Sequence, residues 1–390
     1  MTRSRRLSTA VTIEDLRRLA QRRLPGFLFD PMDAGAGLGE TTSRNIARLR
    51  DRLLLPRGLV DLAGASQATE LFGRRYASPF GISAIGYAGN FRRDADRLFA
   101  EAARAADIPF ILSGGSNVSI ERIARVAPDH TWYQLYGARD PGRTDHLVGR
   151  ARDSGVAVLV FTIDFPVPPR VEKLIRSGVR PPGSVSPRAL PRVIWQLLTH
   201  PAWTLEFMRH GGAQPLESWA QYVAAGSSAA QIARDYGSQI PSNQTWRDLE
   251  RVRRQWPGKL IVKGLLHPDD ASRAVEIGVD AVTVSNHGGV KLDCLPATID
   301  VLPAIVGAVG QHVPVLFDGG IRGGAGVLVA YCLGAKFCFV GRAALYGVAA
   351  GGRPGVERAL QILREEVAQA MAMIGCPRVA DLSRSFLCEA

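Results

Sequence analysis

Several side chains suited to chemistry stand where short apolar runs give way to polar or glycine-rich turns. His287 lies in the segment S-N-H-G-G that begins at Ser285, and an imidazole there can act as a general base near neutral pH. Asp164 ends another apolar run, and its carboxylate could stabilise the imidazolium that forms when the base takes a proton. Lys263 ends a third run and could place a cation beside an electron-accepting ring. These residues indicate acid–base chemistry next to an electron acceptor.

Two glycine turns in the last quarter of the chain have the composition of a phosphate site. They are Asp318-Gly319-Gly320-Ile321-Arg322 and Gly341-Arg342. Glycines allow backbone N–H groups to approach a phosphate closely, and each arginine offers a charge-assisted fork. A single Gly-Gly pair would suit an ordinary turn, but both turns follow apolar runs and both carry an arginine. We therefore predict phosphate binding at the ends of these two runs.

The elements that would position these residues are eight short apolar, β-branched runs that alternate with helical patterns. The predicted strands are Phe80–Ala84, Phe110–Ser113, Thr131–Tyr136, Ala157–Thr162, Lys259–Lys263, Ala281–Ser285, Val313–Phe317 and Phe337–Val340. The helical patterns between them include Asp94–Ala106, Ser119–Val126, Asp269–Ile277 and Gly326–Leu333. Continuous apolar strands indicate a parallel sheet covered on both faces. Eight units predict an α/β fold of the (β/α)8 TIM-barrel type, in which reactive residues stand at the strand C-termini. A doubly wound open sheet is the alternative, but no G-x-G-x-x-G follows the first strand.

The predicted barrel leaves two long segments outside its strand–helix units. We expect a single domain over residues 1–390, with a helical N-terminal extension over residues 1–75 and an insertion over residues 165–258, after the fourth strand. Part of the insertion, Val193–Met208, carries Trp195, Trp203 and several leucines between flanking arginines. This composition suits a peripheral membrane segment or a lid on the barrel, and both interpretations remain open.

Composition narrows the class of protein. The formal net charge is +12, but no basic tract interleaved with aromatics occurs, so we expect no nucleic-acid partner. Five cysteines without a C-x-x-C pair indicate a reducing compartment. The basic N-terminus lacks the continuous apolar core of a secretory signal, and no run is long enough to span a membrane. These features predict a cytoplasmic protein, with peripheral membrane contact as a possibility, and no metal site.

Taken together, the motifs resemble those of the FMN-dependent α-hydroxy-acid dehydrogenases and oxidases, the family of glycolate oxidase and of the L-lactate and mandelate dehydrogenases. The matching segments occur in order between about Ile13 and Leu387. They are Leu112-Ser113, Ser119-Ile120-Glu121, Tyr133-Gln134-Leu135-Tyr136, Thr162-Ile163-Asp164, Val262-Lys263-Gly264, Ser285-Asn286-His287-Gly288-Gly289, Asp318-Gly319-Gly320-Ile321-Arg322 and Gly341-Arg342. The combination of S-N-H-G-G, D-G-G-x-R and G-R is highly specific.

The resemblance implies a role for each matching residue. His287, paired with Asp164, would be the base; Tyr136 would bond the reacting oxygen of the substrate; and Lys263 would stabilise negative charge on the reduced flavin. The residues implied to contact FMN are Ala84, Ile85, Gly86, Ser113, Gln134, Thr162, Lys263, Ser285, Asp318, Gly319, Gly320, Ile321, Arg322, Gly341 and Arg342. The family also implies a homo-oligomer, a tetramer.

Three departures from the family pattern fall on the substrate side. Pro31 stands where the family has a tyrosine, Val290 where it has an arginine, and Val171 where it has the arginine after the fourth strand. Those family residues hold the substrate carboxylate. Arg170 and Lys291 each lie one residue from a missing arginine and are the candidates to replace it, and we assign Arg170 to the substrate site.

Three classes of function follow. The first is FMN-dependent oxidation of the CH–OH group of a 2-hydroxy acid, by proton abstraction and transfer of a hydride equivalent. The second applies the same chemistry to a hydroxyl or amine carbon of a larger biosynthetic intermediate, because the carboxylate ligands have changed. The third is a catalytically silent flavin- or phosphate-binding barrel. Oxygen, a quinone or a protein is expected as the electron acceptor.

Overall fold

Eight parallel strands form a closed barrel in the structure, a computed structural model that describes residues 7–180, 184–240 and 242–388. The strands are β1 (Phe80–Ile82), β2 (Phe110–Leu112), β3 (Thr131–Leu135), β4 (Val158–Thr162), β5 (Lys259–Leu265), β6 (Ala281–Val284), β7 (Val315–Asp318) and β8 (Phe337–Val340). They follow one another around the barrel in chain order, and β8 closes on β1. The predicted (β/α)8 fold is confirmed.

Each predicted strand is present, with ends that lie within two residues of those predicted. One of the two-residue shifts is at β7, which begins at Val315 and not at Val313 as predicted. Pro314 stands between them and has no N–H to donate to a neighbouring strand. The change does not affect the strand C-termini, which carry the reactive residues.

Large side chains that alternate along the strands fill the interior of the barrel. Trp132 lies 5.3 Å from Phe339 between ring centroids, and both are buried. A short antiparallel hairpin, Thr69–Leu71 with Arg74–Tyr76, closes the end of the barrel opposite the predicted site. Tyr76 of this hairpin packs on Phe337, with ring centroids 5.7 Å apart. The barrel is therefore a packed core and its open face is the C-terminal one.

Helices cover the outside of the barrel. Between the strands they span Ala95–Ala105, Ile120–Val126, Pro141–Asp153, Trp246–Gln255, Pro268–Glu276, Thr298–Val309 and Gly324–Cys332, and after β8 they span Arg342–Gly351 and Arg353–Met373. The four helical patterns predicted from sequence are all present, within two residues at each end. Short 3-10 turns occupy Ala88–Asn90, Pro187–Ala189, Glu217–Tyr222, His287–Gly289, Val379–Asp381 and Arg384–Phe386.

The N-terminal extension crosses the C-terminal face of the barrel. Its helices span Ile13–Arg23, Gly26–Asp33 and Glu40–Arg50, and its first six residues lie outside the described part of the chain. The backbone N–H of Ala36 donates to the carbonyl of Gly289 over 2.8 Å, and Asn45 exchanges side-chain hydrogen bonds with Asn286. The extension thus holds the loop that carries His287.

The insertion after β4 contains further helices, which span Glu172–Ser177, Leu190–Thr199, Pro201–Arg209 and Ala229–Gln239. A small antiparallel hairpin pairs Val179–Arg180 with Ser184–Val185. Pro201 starts a new helix, so the apolar segment Val193–Met208 belongs to two helices that meet at His200. Trp203 is buried against Phe27 and Phe207, whereas 66% of Trp195 is exposed.

Candidate active site

A cavity of about 560 Å³ opens at the C-terminal ends of the strands. Most of the residues predicted from sequence to form the site line it: Ala84, Ile85, Gly86, Ser113, Tyr136, Lys263, His287, Asp318, Gly319, Gly320, Ile321, Arg322, Gly341 and Arg342. Asp164, Gln134 and Ser285 lie behind this wall, each bonded to a lining residue. Thr162 is buried, and its hydroxyl reaches only the carbonyl of Val160, at 3.5 Å.

A hydrogen-bonded set of three side chains stands at the ends of β3, β4 and β6. Nδ1 of His287 lies 2.8 Å from Oδ1 of Asp164, and Nε2 lies 3.3 Å from the hydroxyl of Tyr136. Because a carboxylate can only accept, Nδ1 carries the hydrogen, and the lone pair of neutral His287 is on Nε2. His287 adopts φ +55° and Gly288 φ +66°, a sharp turn that directs the imidazole into the cavity.

Burial and neighbouring charges determine the protonation of this set. Burial lowers the pKa of His287, Asp164 opposes this shift, and the net direction is downward, so the imidazole is neutral at pH 7. Burial would raise the pKa of Asp164, but its interaction with His287, which includes the hydrogen bond from Nδ1, and the charge of Lys263 outweigh burial, so the carboxyl stays ionised. A neutral imidazole that an anion orients is suited to accept a proton.

A buried cation lies at the end of β5, next to this set. Nζ of Lys263 donates to Oγ of Ser285 over 2.8 Å and lies 3.1 Å from Oδ2 of Asp318. Burial would lower the pKa of Lys263, but Asp318 and Asp164 raise it, so the side chain is an ammonium. Ser83, which sequence reasoning missed, donates to the same Asp318 oxygen over 2.8 Å. No motif marks Ser83, and only its position directly after β1 could have suggested it.

The opposite end of the cavity has the features that a phosphate needs. Gly319 (φ +149°) and Gly320 (φ +77°) have no room for a Cβ, which would lie 2.2 Å from Oγ1 of Thr298 and 2.5 Å from the carbonyl oxygen of Asn45, respectively. Arg322 and Arg342 both face this turn. Burial and then the charge of Arg322 lower the pKa of Arg342 to about 10. Two guanidinium groups beside a glycine turn fit the phosphate of FMN.

Arg342 also has a structural role that the sequence did not reveal. Its guanidinium donates to the carbonyls of Gly288, over 2.8 Å, and Ala34, over 2.5 Å. Arg322 has a single hydrogen bond of this kind, to the adjacent carbonyl of Ile321. Arg322 thus makes fewer hydrogen bonds to the protein than Arg342 does, so its guanidinium is more available to bind a phosphate.

The residues predicted to contact one edge of the flavin ring form a polar corner between β2 and β3. Oγ of Ser113 donates to Oε1 of Gln134 over 3.1 Å, and the N–H of Gly114 donates to the same oxygen over 3.2 Å. Gly86 lines the cavity next to Ser113, and a Cβ there would lie 3.5 Å from Oγ, an ordinary contact distance. The residues present therefore fit FMN at both its ring and its phosphate.

The substrate side differs from the sequence prediction at one residue. Arg170, predicted to contact substrate, is 79% exposed at its side chain, lies 3.8 Å from Glu172 and does not line the cavity. Lys291, the other candidate, does line it, as do Pro31 and Val290. The loop after β4 directs Arg170 to solvent, which its sequence position alone could not show.

Aromatic side chains that sequence reasoning did not assign complete the cavity. They are Tyr87 and Phe91 after β1, Phe165 after β4, and Tyr236 in the helix Ala229–Gln239. Tyr87 and Tyr236 meet edge to face, with ring centroids 5.8 Å apart. Within the described residues, no group of three His, Cys, Asp or Glu side chains could hold a metal ion.

Comparison with known proteins agrees with this geometry. The chain is 38% identical to an L-lactate dehydrogenase of Stenotrophomonas maltophilia (strain R551-3) and 36% identical to one of Caulobacter sp. (strain K31). Each alignment covers 96% of this chain and 97% of the relative. Among solved structures, that of the monotopic membrane protein (S)-mandelate dehydrogenase superimposes with a TM-score of 0.92 at 35% identity, over 98% of this chain and all of that one.

A second solved structure is that of mandelate oxidase with (S)-4-hydroxymandelic acid. Its TM-score is 0.80 at 34% identity, over 96% of this chain and 98% of that chain. Residues 20–389 match the family described as FMN-dependent dehydrogenase, which confirms the resemblance and the cofactor inferred from the sequence. The chain therefore belongs to the family of FMN-dependent dehydrogenases.

Proposed function

We propose that this enzyme oxidises the CH–OH carbon of a 2-hydroxy acid to the 2-oxo acid. The observation that carries the proposal is the His287–Asp164 pair, 2.8 Å apart, in a cavity that also fits FMN. The reaction removes two electrons and two protons from the substrate, and FMN, when bound, accepts the electron pair. Relatives with lactate and mandelate activities support a hydroxy acid, whereas the comparisons give no support to an amine or a larger biosynthetic intermediate.

Side chains of the protein accept the substrate proton and hold the reacting oxygen in place. Nε2 of neutral His287 takes a proton from the substrate, and Asp164 stabilises the imidazolium that results. The hydroxyl of Tyr136, 3.3 Å from Nε2, is placed to bond the reacting oxygen and to keep it next to the base. Burial raises the pKa of Tyr136 far above its ordinary value, so the phenol stays protonated and acts as a donor.

The cofactor would extend from the polar corner to the glycine turn. Gly86, Ser113 and Gln134 would contact one edge of its ring, and the Lys263 ammonium would compensate negative charge that develops on reduction. The remaining predicted ligands would hold the ribityl chain and phosphate: Ser285, Asp318, Gly319, Gly320, Ile321, Arg322, Gly341 and Arg342. Ala84, Ile85 and Thr162 would contribute backbone or peripheral contacts.

The substrate class that suits the cavity carries an apolar arm. Tyr87, Phe165, Tyr236 and Ile240 line the cavity, and Phe165 packs on Tyr136 with ring centroids 5.4 Å apart. An aryl or bulky aliphatic group would bury against them, whereas the methyl group of lactate would leave much of this surface uncovered. Mandelate-like acids are therefore the proposed substrates.

We also propose that the enzyme lies on a membrane surface and passes electrons to a quinone there. The helices Leu190–Thr199 and Pro201–Arg209 expose Ile194, Trp195, Leu198, Leu205 and Met208. Arg188, Arg192 and Arg209 border this apolar surface, an arrangement that suits the headgroup layer of an anionic membrane. Among the described residues, none of the helices is both long and apolar enough to span a bilayer. The monotopic (S)-mandelate dehydrogenase supports surface attachment; a cytoplasmic homotetramer stays a prediction.

The test of the proposed reaction is anaerobic reduction of the bound cofactor by a panel of 2-hydroxy acids, hydroxy esters and amines. We expect a yellow protein whose extracted chromophore is FMN and which is bleached by 2-hydroxy acids. Recovery of FAD, or a colourless protein that FMN cannot reconstitute, would contradict the cofactor assignment. FMN that no compound of the panel reduces would favour a catalytically silent barrel.

A further inference from the structure

Lys291 lines the cavity, but the proposed proton transfer does not involve it. It lies on the loop after β6, four residues beyond His287, and its side chain enters the cavity. Nζ lies 3.1 Å from the centroid of the Phe165 ring and 5.8 Å from that of Tyr136. The ring faces keep the ammonium next to the groups that handle the substrate hydroxyl.

The other cations near the cavity already have partners or lie elsewhere. Lys263 is paired with Asp318 at 3.1 Å. Arg322 and Arg342 stand at the phosphate end, and Arg170 points to solvent. Nζ of Lys291, in contrast, forms no hydrogen bond or ion pair of 4 Å or less with any residue in the described part of the chain. It is thus the cation of the cavity that is available to an anionic ligand.

We propose that the Lys291 ammonium binds the substrate carboxylate, in place of the arginine that Val290 has displaced. This inference rests on the proposed function, since it assigns the acid group of the same substrate. A 2-hydroxy acid has its carboxylate on the carbon that carries the hydroxyl. With that hydroxyl between Tyr136 and His287, the carboxylate falls within reach of Nζ above Phe165.

An ammonium holds a carboxylate differently from a guanidinium. Arginine offers two parallel N–H bonds in a fixed plane, whereas lysine offers a point charge on a flexible stem. Pro31 and Val171 add no polar group of their own, so selection for an acid over its neutral analogue depends on this one ion pair. The orientation of the substrate about this ion pair then depends on Tyr136 and on the apolar walls of the cavity.

The charge on Lys291 makes binding dependent on pH. Burial lowers the pKa of Lys291 to about 7, Asp164 opposes the shift and Lys263 adds to it; His287 and Tyr136 are the other titratable groups that face it. A bound carboxylate favours the charged form, so binding above pH 7 requires uptake of a proton. KM should then rise about tenfold per pH unit above this pKa, while kcat changes much less.

The experiment compares mandelate with its methyl ester as substrates of the wild type and of Lys291→Met at pH 6.5. We expect kcat/KM for the acid to fall roughly 30- to 1000-fold, mainly through KM, because a buried charge pair is lost. The value for the ester should change about threefold or less. Lys291→Arg, or Val290→Arg with Lys291→Met, should restore preference for the acid. Lys173→Met, at an exposed lysine, is the matched control.

Binding of benzoylformate, read from the flavin spectrum and by calorimetry in two buffers, tests the same contact without turnover. At pH 8 the wild type should take up close to one proton per ligand, and Lys291→Met should take up none and bind weakly. An unchanged acid-to-ester ratio in Lys291→Met, or loss of acid preference in Arg170→Met, would overturn the proposal. A wild type that binds benzoylformate through Lys291 but oxidises neither compound would refute only the proposed function.

Discussion

The two ends of the cavity are built in different ways. At the cofactor end, the ligands stand on strand termini and have partners within the protein: Lys263 forms an ion pair with Asp318, and Asp164 accepts a hydrogen bond from His287. At the substrate end, the wall comes from the N-terminal extension, the loops after β4 and β6, and the helix Ala229–Gln239. There a lysine stands one position away from where the family pattern has an arginine, and a proline replaces a tyrosine.

This difference shows where the fold tolerates change. A strand terminus is held by neighbours on both sides, so the cofactor end preserves its geometry as the sequence diverges. Loops on the open face of the barrel can exchange one ligand for another without disturbing the sheet. The barrel strands therefore position the groups that carry out the reaction, whereas the loops and helices on the open face of the barrel determine which substrate binds.

The largest expected effect is at the base. His287→Ala should lower the rate of flavin reduction by about 10²- to 10⁴-fold, because no other group takes the proton. FMN content should stay at the wild-type level, since the phosphate turn and Lys263 are untouched. The measurement is anaerobic stopped-flow bleaching beside the absorbance ratio of flavin to protein. Near-normal bleaching in the variant would assign the base to another group.

A change at the phosphate turn should affect the cofactor and spare the substrate. Arg322→Ala removes a charge-assisted bond worth about 1.5–3 kcal/mol, so the Kd for FMN should rise roughly 10- to 150-fold. KM for mandelate at saturating FMN should change little. Fluorescence titration of the apoprotein measures this, with Arg176→Ala, at an exposed arginine, as control. Unchanged FMN affinity would remove Arg322 from the phosphate site.

Substrate size tests the other end of the cavity. A phenyl arm buried against the aromatic wall contributes about 2 kcal/mol, so kcat/KM for mandelate should exceed that for lactate or glycolate roughly 30-fold. Ile240→Ala should reduce the advantage of mandelate and leave lactate unchanged. If lactate is turned over as efficiently as mandelate, the apolar wall does not select the substrate.

The smallest expected effect concerns the membrane surface. Trp195→Ser with Leu198→Ser should weaken binding to anionic vesicles by about tenfold, because both side chains are more than half exposed on the proposed docking face. Leu53→Ser with Leu55→Ser, two exposed leucines of a different segment, should bind as the wild type does. Co-sedimentation with vesicles distinguishes the pairs, and equal binding by both would refute this face.

The cofactor end was far more predictable from sequence than the substrate end. Short apolar runs located all eight strands, and residues at or close to the C-terminal end of a strand, such as Asp318 and His287, have their place determined by the barrel. Arg170 shows the limit, since it lies six residues beyond Asp164 in a loop that turns it to solvent. Tyr236 shows another, because it comes from an insertion helix that lies 72 residues after Asp164 and 51 residues before His287 in sequence, and no local pattern predicts how such a helix docks.

The most direct test of the account is a single turnover without oxygen. The FMN-loaded enzyme is titrated with (S)-mandelate while the flavin absorbance and the benzoylformate formed are both measured. We predict complete bleaching with one benzoylformate formed per flavin reduced, and no product in His287→Ala over the same time. Failure of the bound flavin to bleach, or bleaching without a matching amount of the 2-oxo acid, would contradict the proposal that this barrel oxidises 2-hydroxy acids.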